Sequence, residues 1–304
     1  MKNQSYKNYE VIVVDDGSKD NTLDKVRKFR NVKLIKQDHK GPAAARNLGV
    51  KHSKGDIILF TDADCVPDKN WIKNMINPFK DKKIVGVGGT YKTLNRNSLI
   101  ARFVGYEIEE RHEKLKKEKY TDFIGTYSAA YRKDIFLKFD GFDKSFPMAS
   151  AEDPDLSFKM NEAGLKMVFQ PKAFVYHKHP DTLFKFLKVK FWRGYWRVLL
   201  YKKHQGKMFR HKYTPKSIYV EIFLTYMTFL VLFFSLFQTI PFLLTLILGI
   251  IPLFVAFLLG LRLSFNIFKK DKTIGLLSSS ILIILRNLAI GLGIIYGLKF
   301  LFRK

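Results

Sequence analysis

The segment GDIILFTDAD, residues 55–64, shows the pattern that decides the fold of this chain. Its short apolar run follows a glycine, as in a strand that is buried on both faces. The run ends in two carboxylates, Asp62 and Asp64, separated by one residue. Ligands of open α/β sheets bind at the C-terminal strand ends, and Mg²⁺ and Mn²⁺ prefer oxygen ligands. The segment therefore predicts a divalent-metal site. The alternative is a pair of loop or N-cap carboxylates before a helix that starts near Asp68.

Strands and helices alternate around this segment. Apolar runs predict strands over residues 9–14, 32–36, 84–91, 165–169 and 173–176. Capping and turn residues predict helices over residues 20–29, 41–52, 68–79, 98–119 and 152–163. An order of strand, helix, strand favours parallel strands joined by right-handed crossovers. We therefore expect an α/β fold with a mostly parallel, Rossmann-like sheet.

The composition changes along the chain. The chain has 304 residues, 47% of them hydrophobic, which is enough for about two domains. Residues 218–304 contain only eight of the 53 Lys and Arg residues and two of the 27 Asp and Glu residues. A charged N-terminal region is thus followed by a hydrophobic C-terminal region.

The formal charge of +26 suggests an anionic partner. No helix-turn-helix, zinc-finger or ribonucleoprotein signature accompanies it, so we do not expect nucleic acid as the partner. Anionic lipids and a phosphorylated substrate explain the charge better. The one cysteine, Cys65, excludes an intrachain disulfide and a cysteine-based zinc cluster.

Residues 181–203 combine aromatic and basic side chains at helical spacing. One stripe is apolar (Phe184, Leu187, Phe191, Tyr195 and Val198), and a second is basic (Lys190, Arg193 and Arg197). Such a helix is predicted to lie in the membrane interface, with its cations toward the headgroups. A helix that packs in a protein core is the alternative.

Three hydrophobic segments follow, at about residues 218–240, 241–265 and 274–300. Each reaches the ~20 residues that a transmembrane helix needs. The turn near Thr239 has no charge, whereas Lys269, Lys270 and Lys272 follow the second segment. The positive-inside rule then makes the N-terminal domain and this lysine loop cytoplasmic. Arg286, within the third segment, must face protein, water or a phosphate, so this segment is predicted to span or to be re-entrant or interfacial.

Five motifs in order carry a family resemblance. They are Asp15-Asp16-Gly17-Ser18, the segment from Gly41 to Asn47, Asp62-Ala63-Asp64, Gly141-Phe142-Asp143 and Glu152-Asp153. This order resembles the family 2 glycosyltransferases of type A fold, over about residues 5–180. The resemblance implies a nucleotide-sugar donor, a divalent metal and inversion at the anomeric carbon. The hydrophobic tail resembles that of integral-membrane members that act at the cytoplasmic face.

The resemblance also implies roles for individual residues. Asp15 and Asp16 would bind the base or ribose of the donor, and Arg46 is a further substrate-binding residue. Asp62 and Asp64 would hold Mg²⁺ or Mn²⁺ on the diphosphate, with Asp64 as the more secure ligand. The alternative roles for Asp15 and Asp16 are in turn formation.

The Glu152-Asp153 motif of the family supplies a base that deprotonates the acceptor hydroxyl. Asp153 is the predicted base, and an acidic residue favoured at a helix N-terminus is the alternative. His177 is a candidate metal ligand, or else a packing or solvent-exposed histidine. Arg193 occupies the region where related synthases place an arginine near the donor phosphate. The longer motif of polysaccharide synthases is absent, which argues against a processive polymerase.

One departure from the family pattern concerns the N-terminus. The family normally begins with a strand, a Pro-containing loop and a helix, and this chain matches only from the end of that helix. We therefore expect an N-terminally incomplete domain, with an unpaired sheet position where the absent strand belongs.

The predicted organisation has three parts. Residues 1–180 form the glycosyltransferase domain, residues 181–217 a basic interfacial helix and linker, and residues 218–304 a membrane domain with two or three transmembrane helices. The expected reaction is metal-dependent, inverting sugar transfer to a lipid-linked or membrane-proximal acceptor at the cytoplasmic membrane. A catalytically inactive, truncated membrane scaffold is the alternative, and a polysaccharide synthase or transporter subunit fits the sequence less well.

Overall fold

The computed structural model of the chain describes residue 1 and residues 3–148, 150–237 and 242–302. Two compact units are present. The first contains residues 1–94 and 112–178, and the second contains residues 95–111 and 179–304. The boundary falls within a long helix, so each unit is discontinuous in sequence.

Strands and helices are interspersed along residues 1–178, as the sequence predicts. In chain order the elements are β1 (Val11–Asp15), α1 (Thr22–Arg27), β2 (Val32–Lys36), α2 (Pro42–Lys51), β3 (Ile57–Phe60), β4 (Cys65–Pro67), α3 (Trp71–Ile76), β5 (Ile84–Thr93), α4 (Leu99–Leu115), β6 (Ala129–Arg132), α5 (Lys133–Lys138), α6 (Glu152–Glu162) and β7 (Lys166–His177). The strand predicted before Asp62 is thus β3. The two strands predicted over residues 165–176 are the single strand β7, and the three-residue strand β4 is too short for a periodicity signal.

The α/β class is confirmed, and the sheet is mixed. Five strands are hydrogen-bonded in the order β3-β6-β5-β7-β4. Only β5 and β7 pair in parallel in this sheet, and the other three pairs are antiparallel. The expected parallel majority is therefore wrong for this sheet.

Strands β1 and β2 pair in parallel and form a separate two-stranded sheet. Strand β1 is hydrogen-bonded to β2 alone, and β3 lies at one edge of the five-stranded sheet.

Four aromatic rings pack beneath the end of β3. Phe60, the last residue of this strand, contacts Phe142 and Phe136 with ring centroids 5.2 and 5.5 Å apart. Tyr131 completes the group, with its ring 6.2 Å from that of Phe60. All four side chains are buried. Rings of this size contribute strongly to core stability. The end of β3, two residues before Asp62, is therefore held by a buried aromatic core.

In its described part, the rest of the second unit consists of helices and the loops that join them. They are α7 (Leu183–Lys203), α8 (Ser217–Ser235), α9 (Phe242–Lys270), α10 (Leu276–Gly297) and α11 (Lys299–Phe302). Three helical segments are long and apolar enough to cross a membrane: Ser217–Ser235, Ile247–Lys270 and Leu276–Phe302. The charge-free turn predicted near Thr239 lies outside the described residues.

Helices α7 and α10 run parallel and pack at backbone distance. A Cβ atom added to Gly194 would lie 2.1 Å from the carbonyl oxygen of Ile290. At Gly293 it would lie 2.0 Å from the carbonyl oxygen of Phe191, and at Gly297 2.7 Å from that of Tyr195. Glycine is therefore required at these three points of closest approach.

The predicted basic stripe of α7 is wrong at one residue. Lys190 of that stripe is 2% exposed, whereas Phe184 of the predicted apolar stripe is 76% exposed. Lys190 donates a hydrogen bond to Glu107 rather than pointing to solvent. The buried face follows Phe186, Lys190 and Gly194 because this face packs inside the second unit.

Two glycines of the first unit allow backbone strain to be separated from crowding. Gly141 and Gly164 both have positive φ, at 67° and 76°. A Cβ atom at Gly141 would lie 2.5 Å from Asn47 Oδ1, whereas nothing lies within 4 Å of one at Gly164.

We expect Gly164→Ala to lower the free energy of unfolding by ~1–2 kcal/mol through strain alone. Gly141→Ala should lose a further ~1–3 kcal/mol through overpacking. Urea unfolding of both variants in detergent checks this difference, and equal losses would contradict it.

Candidate active site

The two carboxylates Asp62 and Asp64 lie in the link between β3 and β4. Strand β4 pairs with β7 in a register that sets Cys65 opposite His177. His177 Nε2 lies 3.6 Å from Asp64 Oδ1 as a result. Strand pairing thus brings together one histidine and a carboxylate that are far apart in sequence.

Four residues present possible metal-ligand atoms within 4.8 Å of one another: Asp62, Asp64, Cys65 and His177. The Asp64 side chain is 51% exposed and that of Asp62 is 29% exposed, so both oxygens can reach a solvated ion. Two carboxylates and one imidazole are a donor set that suits Mg²⁺ or Mn²⁺. The predicted metal residues are therefore gathered in one place, and they fit the expected ion.

Cys65 is the fourth member of this group. Burial first, and then the negative charges of Asp62 and Asp64, raise the pKa of the Cys65 thiol to about 12. Its Sγ donates a weak hydrogen bond to Asp64 Oδ1 at 3.8 Å. Because the thiolate rather than the thiol binds metals, Cys65 is the weakest ligand of the four.

Arg46 connects the metal-ligand carboxylates to helix α6. Its Nη2 donates to Asp62 Oδ1 at 2.9 Å, and its Nη1 donates to Glu152 Oε1 at 2.7 Å. Burial lowers the pKa of Arg46, but Asp62 and Glu152 outweigh this effect and raise it. The sequence predicts Arg46 as a substrate-binding residue, and in the structure its guanidinium is already shared between two carboxylates.

The adjacent acids Glu152 and Asp153 differ in their surroundings. Glu152 is 1% exposed, and its Oε2 accepts from the backbone N–H groups of Ser150 and Ala151 at 2.8 and 3.1 Å. Asp153 accepts a single, long hydrogen bond from the Thr126 N–H, at 3.4 Å. Glu152 is thus held by its own loop and Arg46, whereas Asp153 is the less constrained carboxylate.

Burial raises the pKa of Asp153 to about 8, with the negative charge of Glu152 as the next contribution. The charge of Arg46 opposes this shift. A carboxyl group with a raised pKa is suited to accept and release a proton near neutral pH.

Asp15 and Asp16 follow strand β1 and have different partners. Asp16 accepts from the Lys40 and Gly41 N–H groups, both at 2.8 Å. Burial raises its pKa, but these bonds and one from Gln37 lower it overall. Asp15 is 6% exposed, and its Oδ1 has no hydrogen-bond partner among the described residues. Asp16 thus holds the loop at Lys40 and Gly41. Asp15 has one oxygen that accepts no hydrogen bond from the described residues.

Asn47 organises the Gly141-Phe142 motif. Its Oδ1 accepts from the Phe142 N–H at 2.9 Å, and its Nδ2 donates to the Phe142 carbonyl oxygen at 2.7 Å. The sequence predicts no role for this residue, although it ends the quoted segment from Gly41 to Asn47. Arg193, the remaining predicted site residue, lies on α7 in the second unit.

Residues 1–139 match the family described as Glycosyl transferase family 2. The family resemblance predicted from the sequence is thereby confirmed over these residues. The predicted site residues Glu152, Asp153 and His177 lie beyond the match, on α6 and β7.

Curated relatives of this glycosyltransferase are similar over part of their length. The pre-mycofactocin glycosyltransferase of Mycobacterium tuberculosis is 28% identical over 67% of this chain and 44% of its own. The Escherichia coli protein WfgD, a UDP-Glc:alpha-D-GlcNAc-diphosphoundecaprenol beta-1,3-glucosyltransferase, is 36% identical over 49% of this chain and 57% of its own. The chain therefore spans about half the length of these relatives.

A solved structure shares the fold. The mannosyltransferase PcManGT of Pyrobaculum calidifontis, in complex with GDP-Man and Mn²⁺, superimposes with a TM-score of 0.58 at 16% identity. The superposition covers 98% of this chain and 80% of that one. The predicted type A glycosyltransferase fold, followed by helices, is thereby confirmed.

The single cysteine makes the electrostatics of this site measurable. A rise in the pKa of Cys65 from 9.0 to about 12 reduces the thiolate fraction near pH 8 about a thousandfold. We therefore expect alkylation by iodoacetamide at pH 8 to be about a thousandfold slower than in the urea-unfolded chain. Asp64→Asn should accelerate it by removing a negative charge, and Asp56→Asn, at the other end of β3, should not. Rapid labelling of the folded chain, measured by intact mass, would contradict this assignment.

Proposed function

We propose that the chain transfers one sugar from a nucleotide-sugar donor to a lipid-linked or membrane-proximal acceptor, with metal assistance and inversion at the anomeric carbon. The observation that carries this proposal is the continuous arrangement of Asp64 and His177, Asp62, Arg46 and Glu152, which ends beside Asp153. A metal-ligand set and a candidate base thus lie on one connected scaffold.

The donor would bind across the ends of β1 and β3. The unpartnered Oδ1 of Asp15 is suited to accept from a nucleobase N–H or a ribose hydroxyl, because a buried carboxylate oxygen without a donor is costly. Asp16 would keep the loop before Gly41 in place. PcManGT, whose fold is shared, is a complex with a nucleotide sugar.

Asp64, Asp62 and His177 would hold Mg²⁺ or Mn²⁺. When bound, the ion neutralises charge on the diphosphate leaving group. Asp64 is the most exposed of the carboxylates in this set and is the proposed direct ligand. Asp62 is shared with Arg46, so its orientation depends on the guanidinium.

Asp153 is the proposed base that removes the proton from the attacking acceptor hydroxyl. Its carboxylate accepts one long hydrogen bond, which leaves an oxygen for the substrate. Glu152 would act as a positioning residue, because both of its oxygens are engaged by Arg46 and the backbone.

The second unit supports a membrane location. We infer that α8 and α9 cross the cytoplasmic membrane, with Lys269, Lys270 and Lys272 inside. Helix α7 is packed along α10 and carries seven Lys and Arg residues. A cation at the bilayer centre costs ~2.5–3.5 kcal/mol, so the α7–α10 pair would lie in the cytoplasmic interface, where its cations also attract anionic lipids.

The metal assignment predicts the behaviour of Asp64→Ala. This change should abolish sugar transfer and remove the Mn²⁺-dependent gain in nucleoside diphosphate affinity, because the ion loses its most accessible ligand. Asp56→Ala changes an exposed carboxylate directly before β3 and is the control. It should leave sugar transfer and the Mn²⁺-dependent gain in affinity unchanged. Calorimetric titration of UDP and GDP with and without Mn²⁺ measures the effect. Unchanged Mn²⁺-dependent binding in Asp64→Ala would remove the assignment.

The base assignment predicts a pH profile. A base must be ionised, so kcat should rise with pH through about 8, the pKa to which Asp153 is raised, and level off above it. Asp153→Asn should lower kcat by ~10²–10⁴ with donor affinity unchanged, because a base acts only in the chemical step. Glu152→Gln should lower both kcat and the affinity for the donor.

Two results would overturn this picture. Transfer by Asp153→Asn within about tenfold of the parent, with a larger loss of donor affinity, would make Asp153 a binding residue. Absence of both donor hydrolysis and transfer in the parent chain, with and without Mn²⁺, would favour an inactive membrane scaffold.

A further inference from the structure

A buried cluster of charges lies at the centre of the second unit. Glu107 on α4 accepts from Arg111 at 2.8 Å, from Arg286 at 3.1 Å and from Lys190. Arg286 also donates to Glu221 at 2.6 Å. Arg286 therefore faces protein, as its position within an apolar segment requires. When Lys190 is protonated, the three cations and two carboxylates leave one positive charge in excess.

Arg111 and Lys190 of this cluster also form part of the wall of a cavity of about 350 Å³. Arg193, Arg197 and Lys202 of α7 line the same cavity. No acidic residue is among the described residues that line it. A cavity of this volume is within the range of small-molecule sites, and the charged side chains that line it in the described part of the chain are all cationic.

Two of these arginines carry charge that no carboxylate of the described residues neutralises. Arg197 donates to Thr214 Oγ1 at 3.1 Å and to the Tyr201 hydroxyl at 3.3 Å, which are both neutral groups. Arg193 forms no salt bridge within the described part of the chain. Partly buried cations without a counterion are unfavourable, so the cavity is suited to an anion.

The titration of neighbouring groups agrees with a positive potential in this region. Burial lowers the pKa of Lys190 to about 7; Glu107 opposes the shift, and Arg193 and Arg111 add to it. Burial, followed by Arg197 and Arg111, lowers the pKa of His211 to about 3. Burial is the main cause of both shifts, and the nearby arginines add to it.

The rest of the cavity wall combines neutral polar side chains, such as Gln205 and Thr214, with a larger set of apolar ones. Helix α10 contributes Ile290 and Ile294, and α8 contributes Ile218 and Ile222. These helices have the length and composition of membrane segments. A soluble anion gains nothing from such a wall, whereas an alkyl chain attached to the anion would be buried against it.

We propose that this cavity binds the phosphate or diphosphate headgroup of a single-chain lipid, with Arg193 and Arg197 on the phosphate and the isoleucines along the chain. The proposal rests on the proposed function, since it locates the site for the lipid-linked acceptor. It also assigns Arg193 to the acceptor rather than to the donor phosphate.

The test uses the purified full chain in dodecyl maltoside, with farnesyl phosphate as probe and inorganic phosphate and farnesol as the two comparison ligands. We expect calorimetry to show farnesyl phosphate binding at least about tenfold more tightly than either comparison ligand. Arg193→Gln and Arg197→Gln should each weaken it by about tenfold or more, as expected when a charged hydrogen bond is lost. Lys188→Gln removes the same charge from an exposed position of α7 and should change the affinity by less than about twofold.

Binding of UDP and GDP in Mn²⁺ is measured on the same variants and should not change. Arg193→Lys keeps the charge and should bind farnesyl phosphate more tightly than Arg193→Gln, which separates lost charge from misfolding. Equal affinity for inorganic phosphate would identify a soluble-anion site and overturn the proposal. A loss of UDP and GDP binding in Arg193→Gln without a loss of farnesyl phosphate binding would also overturn it. A loss of farnesyl phosphate affinity in Lys188→Gln equal to that in Arg193→Gln would do the same. A chain that binds farnesyl phosphate but transfers no sugar would contradict the proposed function and not this site.

Discussion

One guanidinium holds the acidic face of the first unit together. Asp62, Glu152 and Asp153 are carboxylates that raise the energy of one another's ionised forms, and Arg46 is the cation that bridges two of them. Without Arg46 the buried charge of Glu152 would have only the two N–H groups of its own loop. Removing one partner of a buried ion pair typically costs 3–5 kcal/mol. The relative position of the metal-ligand pair and α6 therefore depends on this one side chain.

The aromatic core and the strand register act together with Arg46. Phe60 is fixed by its contacts with Phe136 and Phe142, so the chain leaves β3 at a defined point. Strand β7 then sets His177 opposite Cys65. Apolar packing thus positions one end of the metal-ligand set and backbone pairing positions the other. A site built in this way needs few flexible side chains, which favours preorganisation.

In the second unit the central group is a carboxylate and its partners are cations, the reverse of the arrangement around Arg46. One carboxylate, Glu107, gathers Lys190, Arg111 and Arg286, and these charges lower its pKa well below the usual range in spite of burial. Glycine contacts let α7 lie directly against α10, which carries Lys190 to this centre. In both units a single buried charge decides where helices that are distant in sequence meet.

The sequence by itself determined the features that depend on neighbouring residues. The apolar run of residues 57–60 predicts β3, the carboxylates at its end predict a metal site, and the long apolar runs predict the three hydrophobic helices. Only the tertiary structure decided which distant residues meet. The mixed sheet, the role of Asn47, the bridge made by Arg46 and the buried position of Lys190 all follow from packing and register. Local periodicity reports which face of an element is apolar, but not which element covers that face, because the partner is chosen by the packing of the whole unit.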